Sequence, residues 1–166
     1  MRRLKHTKQF PAADHDHKTC ITHALQEAEA YCKQQGLRLT ELRRRVLELI
    51  WANHQPVGAY DLLEQLTREG RKAAPPTIYR SLDFLMQSSL IHRITSLNAY
   101  VGCNHPGLDH AAQFFICEDC GQAAEMDDAK IESAIAKDAK RLGFTVEKRT
   151  IEVAGICAHC KHHSKT

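Results

Sequence analysis

No run of about 18 apolar residues occurs in this 166-residue chain, which excludes a membrane-spanning helix. The charged start, Met1-Arg2-Arg3-Leu4-Lys5-His6, has no apolar stretch behind it and does not read as a secretory signal. There is no His-Glu-x-x-His, and no nucleophile arrangement takes its place, so little suggests hydrolytic chemistry. Net charge is only +3, too mild to point to a nucleic-acid partner by itself. These absences predict a cytoplasmic protein that is not an enzyme, has no small-molecule substrate and makes no membrane contact.

What charge there is lies unevenly. Residues 1–20 hold five Lys/Arg against two acids, residues 21–98 ten against eight, and residues 99–166 eight against ten. The first part is basic and the last acidic, so the first is the part suited to meet a polyanion. The length suits one ordinary domain or two small ones, and small domains gain from staples. In a reducing compartment the seven cysteines stay reduced, and Cys-x-x-Cys pairs then read as metal or redox motifs rather than disulfides.

Residues 1–20 lack periodicity and read as a mobile tail carrying His6, His15, His17 and Cys20. Ile21, Leu25, Ala28 and Cys32 form the stripe of a helix that Gly36 stops. Thr40 caps a second helix with Leu42, Val46, Leu49 and Ile50 inward. Arg43, Arg44 and Arg45 lie on its other faces, either solvated or contacting phosphate. After the break at Gln55-Pro56-Val57-Gly58, a third helix runs from Ala59 to Glu69. Pro75-Pro76 opens a fourth, from Thr77 to about Ser88, with Ile78, Leu82, Leu85 and Met86 buried. This leaves Thr77, Tyr79, Arg80, Ser81 and Asp83 displayed, a composition suited to phosphates, sugars and a guanine edge. The runs Leu90–Thr95 and Ala99–Cys103 flank Ser96-Leu97-Asn98 as a hairpin. Short helices followed by a hairpin make a winged helix-turn-helix, with the fourth helix in the major groove.

Asn104-His105-Pro106-Gly107-Leu108 reads as a hinge. A strand over Ala112–Ile116, a strand ending near Met126, a helix from Asp128 to Leu142 and a strand over Thr145–Val153 follow. A polar tail, Lys161–Thr166, is expected to fray. The fold class is therefore α+β: a mobile tail (1–20), a winged-helix DNA-binding domain (21–103), a hinge (104–109) and a small α/β domain (110–166).

Cys117-x-x-Cys120 and Cys157-x-x-Cys160 can place four thiolates around a structural zinc, with Gly121 permitting the tight knuckle. A redox role would favour a single pair at a helix start. A second set, His92, Cys103, His110 and Glu125, offers one thiolate, two imidazoles and one carboxylate, donors suited to tetrahedral zinc. These four sit on four elements, so sequence spacing also allows a buried Cys103, a phosphate-facing His92 and a solvated Glu125. His105 competes with His110.

The winged helix, Pro75-Pro76-Thr77-Ile78-Tyr79-Arg80, Cys117-x-x-Cys120-Gly121 and Cys157-x-x-Cys160 together resemble the ferric uptake regulator family, over roughly Ile21–Cys160. His92, Cys103, His110 and Glu125 match in turn the sensory ligands of its zinc uptake regulator branch. The His-His-Asp-His run of iron-sensing members is reduced here to Asp109-His110, although His54 lies near the position of another iron-site ligand. The resemblance implies a homodimeric, zinc-sensing repressor that binds palindromic double-stranded operator DNA and controls zinc uptake and homeostasis genes. It implies two zinc ions per chain, one structural and one regulatory, and DNA contacts from Tyr60, Thr77, Tyr79 and Arg80. The alternatives are an iron- or peroxide-responsive repressor of the same family and, more distantly, a zinc hydrolase or a purely structural zinc protein.

Overall fold

A computed structural model of the chain describes Phe10 and residues 17–52, 55–107, 110 and 112–163. Most of the expected tail, His54, residues 108–109 of the hinge and the last three residues lie outside the described residues. Residues 17–20, assigned above to the tail, belong to helix α1 (His17–Gln34). Leu25, Ala28 and Cys32 are buried on its inner stripe. Gly36 ends the segment at φ +66, where a side chain would be strained.

Helix α2 (Glu41–Trp51) starts as the sequence dictates: the Thr40 hydroxyl accepts the Arg43 N–H at 3.4 Å. Its arginines are occupied internally. Arg43 stacks 3.6 Å over the Phe84 ring and donates to the Arg38 carbonyl, Arg44 pairs with Glu29, and Arg45 pairs with Glu48 and Glu69. These contacts favour neither a bare solvated face nor a phosphate grip. Helix α3 (Ala59–Arg68) follows, and α4 (Pro75–Gln87) carries its two prolines in the first turn, two residues earlier than expected. Ser81 is not displayed as the sequence suggested. It is buried and returns its hydroxyl to the Thr77 carbonyl at 3.0 Å, because residue 81 falls on the same side as Ile78, Leu82 and Leu85.

The hairpin is present as β2 (Ile91–Ile94) and β3 (Ala99–Gly102), with Asn98 at φ 48 in the turn. The proposed break before α3 contributes a two-residue strand, β1 (Val57–Gly58), which pairs with Tyr100 and Ala99 and makes the wing three-stranded. One apolar cluster ties α1–α4 to this sheet through Leu47, Ile50, Leu62, Leu66, Leu82, Leu85, Ile91 and Tyr100.

The second unit has β4 (Ala112–Cys117), β5 (Ala123–Met126), α5 (Ala129–Leu142), β6 (Thr150–Gly155) and α6 (Ala158–His163). β4 is central, antiparallel to β5 and parallel to β6. The last strand begins five residues after the alternation at Thr145 suggested, and Lys161–His163 are helical rather than frayed. Asp128 caps α5 by accepting the Lys130 N–H at 2.8 Å, and Gly143 ends it at φ +64.

The two units share a core. Ile94 of β2 is buried against Ala112, Phe114 and Ile116 of β4, with Val101 beside them. On the other side of the wing, the Gly102 backbone approaches Trp51 so closely that an added Cβ would lie 2.2 Å from the ring. Gly102→Ala is therefore expected to destabilise the folded chain by about 1–3 kcal/mol through overpacking, measured as a lowered urea midpoint. An unchanged midpoint would mean that Trp51 yields freely.

Candidate metal centres

The first centre sits where β4 and β6 end. Parallel pairing sets Cys117 opposite Gly155, which brings the turn after β4 beside the start of α6. Gly121, at φ +71, lets that turn close, and its N–H donates to the Cys117 carbonyl at 2.9 Å. Cys117 Sγ then lies 3.8 Å from Cys160 Sγ, and Cys120 Sγ lies 3.9 Å from Cys157 Sγ. Four thiolates at zinc bond length in a tetrahedron are separated by about 3.8 Å, so the four side chains already fit such an ion. Their acidities diverge. N–H groups of the knuckle and of Cys157 hold Cys117 down to about 6, whereas burial and the neighbouring thiols push Cys160 up. Crowded thiols resist joint ionisation, a conflict that a dication relieves.

The second centre lies across the junction of the units. His92 comes from β2, Cys103 follows β3, His110 precedes β4, and Glu125 sits on β5. Their ligand atoms all lie within 4.8 Å of one another. His110 Nε2 is 2.8 Å from Glu125 Oε1, 3.2 Å from His92 Nε2 and 3.6 Å from Cys103 Sγ. His92 Nε2 is 3.0 Å from the same carboxylate oxygen. The Glu125 side chain is 4 % exposed, which disposes of the solvated-charge reading. His105 is not one of the four. It donates its backbone N–H to Cys103 Sγ at 3.3 Å, and its ring stands edge-on to that of His110.

The electrostatics suit a cation. Burial opposes charge on His92, but Cys103 and Glu125 outweigh it and hold the imidazole up to about 9. Burial likewise opposes ionisation of Glu125, yet His110 and His92 bring its carboxyl down to about 2. Cys103 is lowered as well: His110 and His92 overcome its burial. The Asn104 N–H donates to Glu125 Oε2 at 2.9 Å, which fixes the carboxylate and leaves Oε1 toward the histidines. A thiolate and a carboxylate buried together carry two negative charges. Two neutral imidazoles and one dication complete and neutralise that set.

Of the four residues expected to touch DNA, Tyr60 is 73 % and Tyr79 41 % exposed, Arg80 is exposed and Thr77 is half-buried. Among the described residues Arg80 has no ion-pair partner, unlike Arg44 and Arg45 of α2. Sequence reasoning missed three groups around the centres. Gln55 donates to the Cys120 carbonyl at 2.6 Å, and Glu152 accepts N–H groups of the wing turn. The third is the Asn104 N–H on Glu125. Their partners lie 65, 57 and 21 residues away, beyond any local spacing rule.

Comparison with known proteins places these centres in context. Residues 34–154 match the ferric uptake regulator family. The chain is 37 % identical over 144 residues to the zinc uptake regulation protein of Escherichia coli strain K12, covering 86 % of this chain and 84 % of that one. It is similar to a solved zinc uptake regulator complexed with zinc and DNA, at 35 % identity and TM-score 0.84, over 88 % of this chain and 98 % of that one. Crystal structures of XcZur are 42 % identical. The holo form superposes at TM-score 0.78 over 83 % of this chain and 96 % of that one, and the apo form at 0.50 over 85 % and 97 %.

The four-thiol geometry generates a test. Cys117→Ser removes one of the four thiols, so the second unit is expected to lose bound metal and its cooperative melting transition. A variant that melts as the parent does would show that the four sulfurs do not share an ion.

Proposed function

The chain belongs to the ferric uptake regulator family, and from that premise we propose that it is a zinc-responsive transcriptional repressor. It binds palindromic operator DNA as a homodimer and silences genes of zinc uptake and homeostasis. One observation carries the reading: His92 and Cys103 of the winged-helix unit meet His110 and Glu125 of the second unit within 4.8 Å. The soft thiolate and two imidazoles favour zinc over harder ions. The contrast between the holo and apo structures of XcZur, at equal identity to this chain, supports a metal-linked change of domain arrangement.

We assign the winged helix to 21–103, the hinge to 104–109 and the dimerisation domain to 110–166. Two ions per chain are assigned, one to the four cysteines and one to the mixed set. Bound zinc would supply a single point that four side chains must reach together. His92 and Cys103 then fix the wing, Glu125 is held from behind by the Asn104 N–H, and the hinge loses its freedom. The two recognition helices of a dimer are thereby set at one separation, suited to a palindrome. A bias of about 3 kcal/mol toward the closed arrangement shifts its population more than a hundredfold.

The dimer reading is supported by the sheet face turned away from the wing. Phe115 and Val153 are register partners on β4 and β6 and are both about two-fifths exposed, an apolar pair that a second copy would cover. For DNA, exposed Arg80 is assigned to a base edge and Tyr79, Thr77 and Tyr60 to the backbone or sugars. The cytoplasm is the compartment consistent with this role.

In zinc-buffered solution, operator binding is expected to rise with free zinc and to saturate. Cys103→Ser should retain its fold and one zinc per chain but lose at least a hundredfold of operator affinity. Zinc-dependent binding that survived this change would remove Cys103 from the sensor. Arg80→Ala should cost roughly 1–3 kcal/mol at one base position. A panel of operator variants bound with the parent's preferences would exclude Arg80 from base readout.

A further inference from the structure

Glu152 and Gln55 reach across the junction of the two units without belonging to either metal centre. Glu152 lies on β6 and is itself half-buried. Its Oε1 accepts the Thr95 N–H at 2.6 Å and its Oε2 the Ser96 N–H at 3.0 Å. Both donors belong to the tight turn of the wing, where successive N–H groups point the same way and form a small anion seat. The carboxylate engages with both oxygens, so it fixes orientation as well as distance. Burial would raise its pKa, but the Thr95 and Ser96 donors hold it below the ordinary carboxylate value. Gln55 precedes β1 and donates its side-chain N–H to the Cys120 carbonyl at 2.6 Å. The Gln55 amide lies about van der Waals distance over Gly121, where an added Cβ would meet it at 3.9 Å. The wing is thus held at its turn by β6 and at its first strand by the four-cysteine knuckle.

We propose that Glu152 and Gln55 are positioning residues for operator binding, forming a metal-independent latch that holds the wing closed against the second unit and sets the zinc concentration at which the protein responds. The mixed metal set can assemble only when the wing sits where Glu152 and Gln55 hold it, because His92 lies on β2 and Cys103 directly follows β3, the two strands joined by the turn. Each latch contact formed in the closed arrangement and lost in the open one adds to the closed population before any metal binds. It therefore lowers the zinc needed to complete closure. The same reasoning gives the four-cysteine knuckle a second task, since its Cys120 carbonyl is one of the two anchors. This inference rests on the zinc-repressor reading for its effect on DNA, but not for the contacts themselves.

The test compares the full-length parent with Glu152→Ala, Glu152→Gln and Gln55→Ala. Half-saturating free zinc for operator binding is read by fluorescence anisotropy in zinc buffers. Zinc affinity without DNA is read by chelator competition, and exchange of the Thr95 and Ser96 amides by NMR. Glu152→Ala is expected to raise the zinc midpoint about tenfold, the scale of a charge-assisted hydrogen-bond pair, and Gln55→Ala about threefold. Glu152→Gln should fall between the parent and Glu152→Ala, since it keeps one acceptor. Zinc affinity without DNA should weaken in step, the two amides should exchange faster in the Glu152 variants, and saturating zinc should restore parental operator affinity. Unchanged midpoints in Glu152→Ala and Gln55→Ala would overturn the proposal. So would a loss that saturating zinc fails to restore, which marks general damage or a DNA contact. If the parent itself bound operator without regard to zinc, the function reading would fail. Amide exchange and zinc affinity without DNA would still decide the latch.

Discussion

Two buried acids dominate this molecule. Cys103 and Glu125 come from different units, sit at the junction and are lowered in pKa by the same two histidines. Burying a thiolate beside a carboxylate is unfavourable unless positive charge is shared between them. The unit that supplies the wing and the unit that supplies β5 therefore share one electrostatic problem. Neither can solve it alone, because each brings one imidazole and one acid. On the zinc-repressor reading, this shared deficit makes the arrangement of the two units sensitive to a cation. Two separately neutralised half-sites would not respond in that way.

Hydrophobic packing alone leaves the second unit thin. Among the described residues, its buried cluster holds Ala112, Phe114 and Ile116 of its own, completed by Ile94 from the wing. A three-stranded sheet with so little buried apolar surface lies near the lower limit for independent folding. The four cysteines stand at the end of β4 and β6, and an ion shared by them would join residues 43 positions apart, a long-range cross-link that lowers the entropy of the unfolded chain. The winged unit, by contrast, has a continuous core from α1 to β3 and, among the described residues, no such cysteine set. On the proposed reading the division of labour follows from size and burial: one unit is held by packing, the other by sulfur and by contact with its neighbour.

Features governed by short-range rules were legible in the sequence. Thr40 and Asp128 cap the helices they precede, and Gly36 and Gly143 end them at positive φ. Both Cys-x-x-Cys pairs announce their knuckles, and the paired β-runs announce the wing. Donor chemistry offered the mixed set His92, Cys103, His110 and Glu125 as one reading among several, and likeness to a family favoured it, since spacing leaves four elements free to point anywhere. What escaped is long-range. A two-residue strand at Val57–Gly58 gives no periodic signal and exists because β3 offers an edge. The run Thr145–Arg149 alternates like a strand but has no strand partner among the described residues, where β4 begins at Ala112 opposite Thr150. Ser81 looked like a surface residue by type, while its position on α4 dictated burial. Glu152 and Gln55 are ordinary polar residues whose meaning depends on backbone groups from the other unit.

The parallel pairing of β4 with β6 separates what can vary in length from what cannot. The two strands meet in register from Ala112–Thr150 to Cys117–Gly155, and both cysteine pairs hang from the same end of that ladder. Residues between Asp127 and Arg149 form a crossover through α5, so turns of helix or loop could be gained or lost there without moving either pair of sulfurs. Inside β6 there is no such freedom. One inserted residue would turn Glu152 to the opposite face of the sheet and carry Cys157 and Cys160 about 3.3 Å along the strand, out of reach of their partners. Two functions separated by half the sheet, holding the wing and closing the knuckle, are therefore kept in phase by the length of one six-residue strand.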